Sequence, residues 1–330
     1  LTAKILYAYG PAKIEERLLM TREREIRISC RRHDWTEALF DGRLAEPTLK
    51  FLPDGHRRLP SLLAAVPDLD FMECGLMTFV QSAADGLPIL AMPVFVRAAF
   101  RHSYIFVNKN SGIQGPIDLE GKRVGTRYEM TANVWARGLL ADEYGVKLEK
   151  IRWVHQTGGA DGARFKLPPE VAIQTVGRDA DLLDWLVTGK IDALIHPDLL
   201  PLQLLSHNTV RRLFADAAKE EQKSYERSKI IPVMNVIIFR RGEEPTAIRR
   251  VFDAFLRAKK AGLDAMEDNR DSGLLWYWKA WEDQVALVGR DSVPYSLAKM
   301  RPTLDVFIQH AVRHGLLDRP VSPDDLFVNF

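Results

Sequence analysis

From Arg27 to Ile195, short strand-forming runs alternate with helical runs closed by glycine, a pattern that commits the chain to an α/β architecture. Arg27–Cys30 predicts a strand. The run from Thr36 to Gly42 (TEALFDG) predicts a helix ending at Gly42, because glycine is favoured just past a helix end. Pro47–Leu52 predicts a second strand. Asp70–Cys74 opens a strand-to-helix unit in which Leu76, Phe79, Val80 and Ala83 share one helical face and Gly86 closes it. Strands are further expected at Leu90–Val94, Ser103–Asn108, Arg123–Gly125, Arg152–His155 and Ile191–Ile195, with helices at Met130–Tyr144 and Asp179–Thr188. Pro232–Arg240 is a long apolar strand, and beyond it the chain reads as helices at Pro245–Glu267, Leu274–Val288 and Leu297–His314. Leu1–Thr21 reads as a short helix appended before the first strand.

A length of 330 residues allows roughly two domains. The order of elements predicts two α/β lobes, with Ser103–Asn108 carrying the chain out of the first and Val233–Arg240 bringing it back. Two crossing strands make a hinge. The expected partition is an extension over 1–25, a first lobe over 26–107, a second lobe over 108–231, and a mostly helical return over 232–330. Ligands of open α/β sheets sit beyond the carboxyl ends of strands, so the loops at Cys30–Trp35, Glu73–Thr78, Gly125–Thr131 and His196–Asp198 should converge on one cleft.

Several function classes fall away. Lys and Arg number 46 against 44 Asp and Glu, so no global field draws the chain to nucleic acid. No apolar run approaches the ~18 residues that span a bilayer, so no membrane partner is expected. The first 25 residues lack the basic and apolar regions of a secretory signal, which points to the cytoplasm. Cys30 and Cys74 are expected to be reduced and buried. There is no HExxH or CxxC arrangement, so no metal is expected, and no GxSxG elbow or GxxxxGK[ST] phosphate loop is present. Trp276, Trp278 and Trp281 are expected to pack a helix pair or a subunit contact, and they and the leader each offer a surface that a homo-oligomer could use, although the oligomeric state is not legible in the sequence.

The blocks AFRHSYIFVN (99–108), GIQGPIDLEGKRVG (112–125), MTANVWARGLLADEYGV (130–146), GKIDALIHP (189–197) and PVMNVIIFRR (232–241) resemble the 4,5-dihydroxyphthalate decarboxylase family. The resemblance runs from about Arg27 to Phe330. It implies a type-II periplasmic-binding-protein-like fold turned to aromatic decarboxylation, without cofactor. Two places depart from the family pattern. The loop after the first strand keeps Cys30, Asp34 and Thr36 but reads Arg31-Arg32-His33 between, and Met234-Asn235 stands where a Met-His pair is usual.

Losing CO2 directly from an arene would leave an aryl carbanion, so the accessible route first protonates the carbon bearing the carboxylate, with a ring hydroxyl supplying electrons. That needs a general acid, a partner for the hydroxyl, and a grip on any second carboxylate. Histidine and desolvated carboxylic acids suit the first task, and arginine's planar fork suits the last. The expected catalytic residues are therefore His102, His33, Asp34 and Glu73, with His102 favoured as proton donor and Asp34 or Glu73 drawing the phenolic proton. Arg31, Arg32 and Arg101 are the expected carboxylate anchors. Arg127, Thr131 at a helix N-terminus, His196 and Asn235 complete the expected substrate contacts. The expected partner is a small aromatic carboxylate. The alternative is a solute-binding protein that closes on such an anion without chemistry.

Overall fold

The structure is a computed structural model, and it describes residues 24–53, 68–158, 165–269 and 271–330. The expected leader helix at Leu1–Thr21 lies outside the described residues. Two mixed sheets are present among them. The first has the order β2 (Leu49–Pro53), β1 (Ile26–Cys30), β3 (Phe71–Gly75), β11 (Val233–Arg240) and β4 (Ile89–Ala98). Strands β1, β2 and β3 run parallel, and β11 is antiparallel to both β3 and β4. The second has the order β10 (Val210–Arg212), β5 (Ile105–Asn108), β9 (Ala193–Ile195), β6 (Arg123–Thr126), β7 (Arg152–Gln156) and β8 (Ile173–Val176). This is the two-lobed α/β arrangement that the alternation of strands and helices predicts.

The helices are α1 (Leu76–Ala84), α2 (Thr131–Tyr144), α3 (Leu182–Thr188), α4 (Leu202–Leu205), α5 (Ala217–Ser228), α6 (Pro245–Glu267), α7 (Tyr277–Val288), α8 (Leu297–Arg313) and α9 (Pro323–Leu326). Helix α2 ends where the sequence says it must. Gly145 takes the left-handed conformation (φ 66°), and its N–H returns to the carbonyls of Leu140 and Ala141.

Helix α2 also joins the lobes. Its Ala132, Val134 and Trp135 belong to the core of the first lobe, while Ala136 and Leu140 belong to that of the second. Trp135 packs on Phe307 of α8 (ring centroids 5.1 Å apart) and donates from Nε1 to the carbonyl of Val233 at 2.9 Å. Position 138 is glycine because a Cβ there would overlap the ring of His310. The N-termini of α1 and α2 meet, with Met77 N donating to Thr131 Oγ1 at 2.9 Å.

Two expectations are corrected. The helix expected over Thr36–Gly42 is one 3-10 turn, Glu37–Leu39, because Thr36 knits the preceding loop instead of starting a helix: its Oγ1 donates to the carbonyl of Arg31 (2.7 Å) and accepts from His33 N (3.0 Å). The strand expected from Ser103 begins at Ile105, since His102–Tyr104 form a 3-10 turn closed by Tyr104 N on the Arg101 carbonyl. The chain thus crosses between sheets through Ala99–Tyr104. Alongside it, the residues before Val233 cross back, and Ala99 N donates to the carbonyl of Pro232 at 3.0 Å. The aromatic-rich helix runs over Tyr277–Val288 with no side chain buried in this chain, and Trp276 just before it is 77% exposed.

Candidate active site

A cavity of about 710 Å3 opens between the lobes beside the crossing segments. One wall is Arg31, His33, Asp34 and Trp35 from the loop after β1, with Arg97 and Ala98 from the end of β4. Facing them are Ala218, Glu221 and Gln222 of α5, and Ala280, Asp283, Gln284, Leu287 and Val288 of α7 lie along the rim.

The loop is held from beneath. Glu73 on β3 is fully buried, and its Oε2 accepts from Arg31 N at 2.7 Å. Burial pushes the Glu73 carboxyl above its ordinary range, although Arg31 and Arg97 draw it partly back. Its Oε1 has no hydrogen-bond partner among the described residues. Glu73 therefore supports the loop from under the cavity and does not line it, which corrects its expected catalytic place.

His33 is half-buried, with its Nδ1 accepting from Trp35 N at 3.3 Å, so the neutral ring carries its proton on Nε2. Nε2 has no partner among the described residues. Burial lowers the pKa of His33; Asp34 offsets part of this, and the guanidiniums of Arg31 and Arg97 lower it further. The imidazole is consequently neutral at pH 7, and the Arg31 and Arg97 guanidiniums flank it. The Arg31 guanidinium makes no ion pair among the described residues, whereas Arg97 reaches across the lobes to Asp198 (Nη2 to Oδ1, 3.2 Å). Asp34 is exposed on the cavity wall.

Other expected residues are placed elsewhere. Arg32 turns outward to Glu37 (2.5 and 2.8 Å) and leaves the cavity wall. His102 is fully buried, with its ring against Phe214 (5.0 Å) and Tyr144 (6.0 Å) and both nitrogens without a hydrogen-bond partner among the described residues. Burial pushes its pKa down to about 4, so it holds no proton to give at pH 7. The 3-10 turn, in place of a strand, is what rotates it into the second lobe. Arg101 is also buried; it stacks over Tyr104 and donates from Nη2 to the carbonyls of His196 (2.8 Å) and Pro197 (3.1 Å), tying that loop to the crossing segment. It does not line the cavity.

Arg127 and His196 line a separate cavity of about 310 Å3 in the second lobe, where Arg127 Nε donates to Gln156 Oε1 at 3.1 Å. Thr131 is the first residue of α2 and not its cap, and its hydroxyl is spent on Met77 N. Asn235 is buried on β11, opposite Gly75 and Arg97, and does not line the cavity between the lobes. A larger cavity of about 810 Å3 lies between the far end of α1 and the segment around Leu316–Ser322, and it holds none of the expected residues. Among the described residues no cluster of three or more metal-ligating side chains is present, and no helix is long and apolar enough to cross a membrane.

Sequence reasoning missed Arg97 and Glu221. An arginine inside the otherwise apolar run ILAMPVFVRA was the available signal for the first. No comparable signal marked the second, because α5 has no apolar stripe.

Comparison with known proteins agrees with this architecture. Residues 68–274 match the family model for the ABC transporter, phosphonate, periplasmic substrate-binding protein. The chain is 33% identical over 274 residues to a 4,5-dihydroxyphthalate decarboxylase of Comamonas testosteroni, covering 79% of this chain and 82% of that one. It is 35% identical over 155 residues to a 4,5-dihydroxyphthalate decarboxylase of Pseudomonas putida, covering 45% and 60%. Among solved structures, the alkanesulfonate-binding protein SsuA from Xanthomonas axonopodis pv. citri bound to MOPS superposes with a TM-score of 0.53 at 15% identity, covering 92% and 97% of the two chains. The fold is thus one shared with periplasmic binding proteins, and by sequence the chain belongs to the 4,5-dihydroxyphthalate decarboxylase family.

Proposed function

We propose that the chain decarboxylates a hydroxylated aromatic carboxylic acid, with 4,5-dihydroxyphthalate as the leading substrate, by protonating the ring ahead of CO2 loss. The observation that carries this reading is the cationic corner that Arg31 and Arg97 make around His33 in the cavity between the lobes. A retained ring carboxylate fits it, because two guanidinium forks and an imidazole N–H all donate. Ala98, Phe100, Leu287 and Val293 supply apolar surface for the ring. Asp34 on the same wall accepts the proton of a ring hydroxyl, and the electron density so released makes the carbon bearing the leaving carboxylate basic. Similarity to the Comamonas testosteroni relative over most of both chains supports the substrate class.

A second reading, anion capture without chemistry, is favoured by the match to a substrate-binding family model. Incubation with a panel of hydroxylated benzoates and phthalates separates the two. The decarboxylase reading expects one CO2 per turnover and a product shorter by one carboxyl group, greatest with 4,5-dihydroxyphthalate. Saturable binding with no CO2 from any member establishes capture instead.

A further inference from the structure

We propose that Glu221 of α5 is the catalytic acid that delivers the proton to the ring carbon; this rests on the decarboxylase reading above and assigns the one role that reading leaves open. The cationic wall of the cavity belongs to the first lobe, and a flat ring held there turns its other face to α5. Among Ala218, Glu221 and Gln222 on that facing wall, Glu221 alone has an ionisable proton.

Its carboxyl is fixed at one oxygen and open at the other. Oε1 accepts from Ser103 N (3.1 Å) and Ser103 Oγ (2.9 Å) in the 3-10 turn at the lobe crossing, while Oε2 accepts no hydrogen bond among the described residues. Ser103 is itself held, since its carbonyl accepts from Arg212 Nε at 3.2 Å. The charges facing Glu221 are Arg101 and Arg212 in its own lobe, and Arg31, His33, Asp34, Arg97 and Asp283 line the same cavity. Burial raises the Glu221 carboxyl above its ordinary range and outweighs the Ser103 hydrogen bonds and those two arginines, which favours the protonated form an acid needs. The remaining acids on the wall suit the task less: Asp34 is exposed, and Asp283 is paired with Lys279 on the rim.

The step balances. Asp34 takes the phenolic proton; the oxygen lone pair moves into the ring; the carbon bearing the carboxylate forms a C–H bond with the proton of Glu221. The C–C bond then breaks, its electron pair restores the aromatic ring and the phenolate, and CO2 leaves. The phenolate recovers its proton from Asp34, and Glu221 is reprotonated from water, so each turnover consumes one proton.

The test is Glu221→Gln, which keeps an acceptor for Ser103 and removes the transferable proton. We expect kcat for CO2 release to fall by about 100-fold or more, with KM changed less than about threefold. Glu221→Asp, which retains the acid, recovers part of the rate. In D2O the wild type exchanges the ring hydrogen of the decarboxylated product at the same carbon, and Glu221→Gln loses that exchange. A wild type that releases CO2 beside a Glu221→Gln variant within threefold of its kcat overturns the proposal alone. A wild type that releases none from any substrate of the panel overturns the decarboxylase reading and this role together.

Discussion

Replacing Arg97 by Ala weakens binding of an unreactive phthalate by about 100-fold, equivalent to about 2.7 kcal/mol, measured as Kd by calorimetry. The size follows from position. Arg97 stands at the end of β4 on a half-buried cavity wall, where a charge-assisted pair is screened less than on open surface. Its contact with Asp198 is not the source of the effect, because Asp198 is largely exposed and such a pair contributes at most about 1 kcal/mol. Asp198→Asn therefore leaves affinity unchanged or improves it by freeing the guanidinium. Arg97→Lys does not restore the wild-type value, since an ammonium lacks the planar fork. Equal losses in Arg97→Ala and Asp198→Asn would mean that the residue acts through lobe closure and not through the ligand.

Acid destabilises the fold well above the usual carboxylate range, and His102 is a principal cause. Its pKa lies at about 4 in the folded chain against an ordinary 6.5. A histidine with a lowered folded pKa contributes fully above pH 6.5 and loses that contribution as the pH falls toward 4, because the unfolded chain binds the proton first. The loss from this residue is about 2 kcal/mol by pH 5 and about 3 kcal/mol by pH 4. His314 acts in the same direction, held well below its ordinary value by burial and by Arg137, His310 and Arg313. Glu73 and Glu221, raised by burial, act in the opposite sense, so the histidine share is read from a difference. The melting temperature of the wild type should fall by about 3 °C more between pH 7 and pH 5 than that of His102→Leu. His102→Leu should keep its turnover, because the ring packs on Phe214 and Tyr144 outside the cavity. Parallel pH curves for the two proteins would show that folding does not lower the pKa of His102.

Elements in both lobes were legible where local chemistry and tertiary role agree. The runs at β1, β3 and α1, and the glycines at 145 and 189, mark strand, helix and helix end within a residue or two. The same holds for the loop Arg31–Asp34, whose Arg31, His33 and Asp34 reach the cavity as the residue types suggest. What the sequence hides is direction. Arg32 and His102 have the right chemistry one residue out of phase: Glu37 draws the first to the surface, and a 3-10 turn swings the second into an aromatic core. Helix α5 was invisible for a different reason, since AAKEEQKSYERS buries only Ala217 and Ser224 and its packing face has no apolar period. With α5 went the second-lobe wall of the cavity and Glu221. The short strands β8 and β10 were missed too, each too brief to show an alternation of its own.

The central claim is that an aromatic acid binds through its carboxylate to Arg31 and Arg97 around His33. The most direct measurement is the crystal structure of the chain with an unreactive phthalate. We predict carboxylate oxygens within hydrogen-bonding distance of both guanidiniums and of His33 Nε2, with the ring facing α5. A phthalate seated instead beside Arg127 and His196 in the second-lobe cavity, with the Arg31–Arg97 corner empty, would contradict the account.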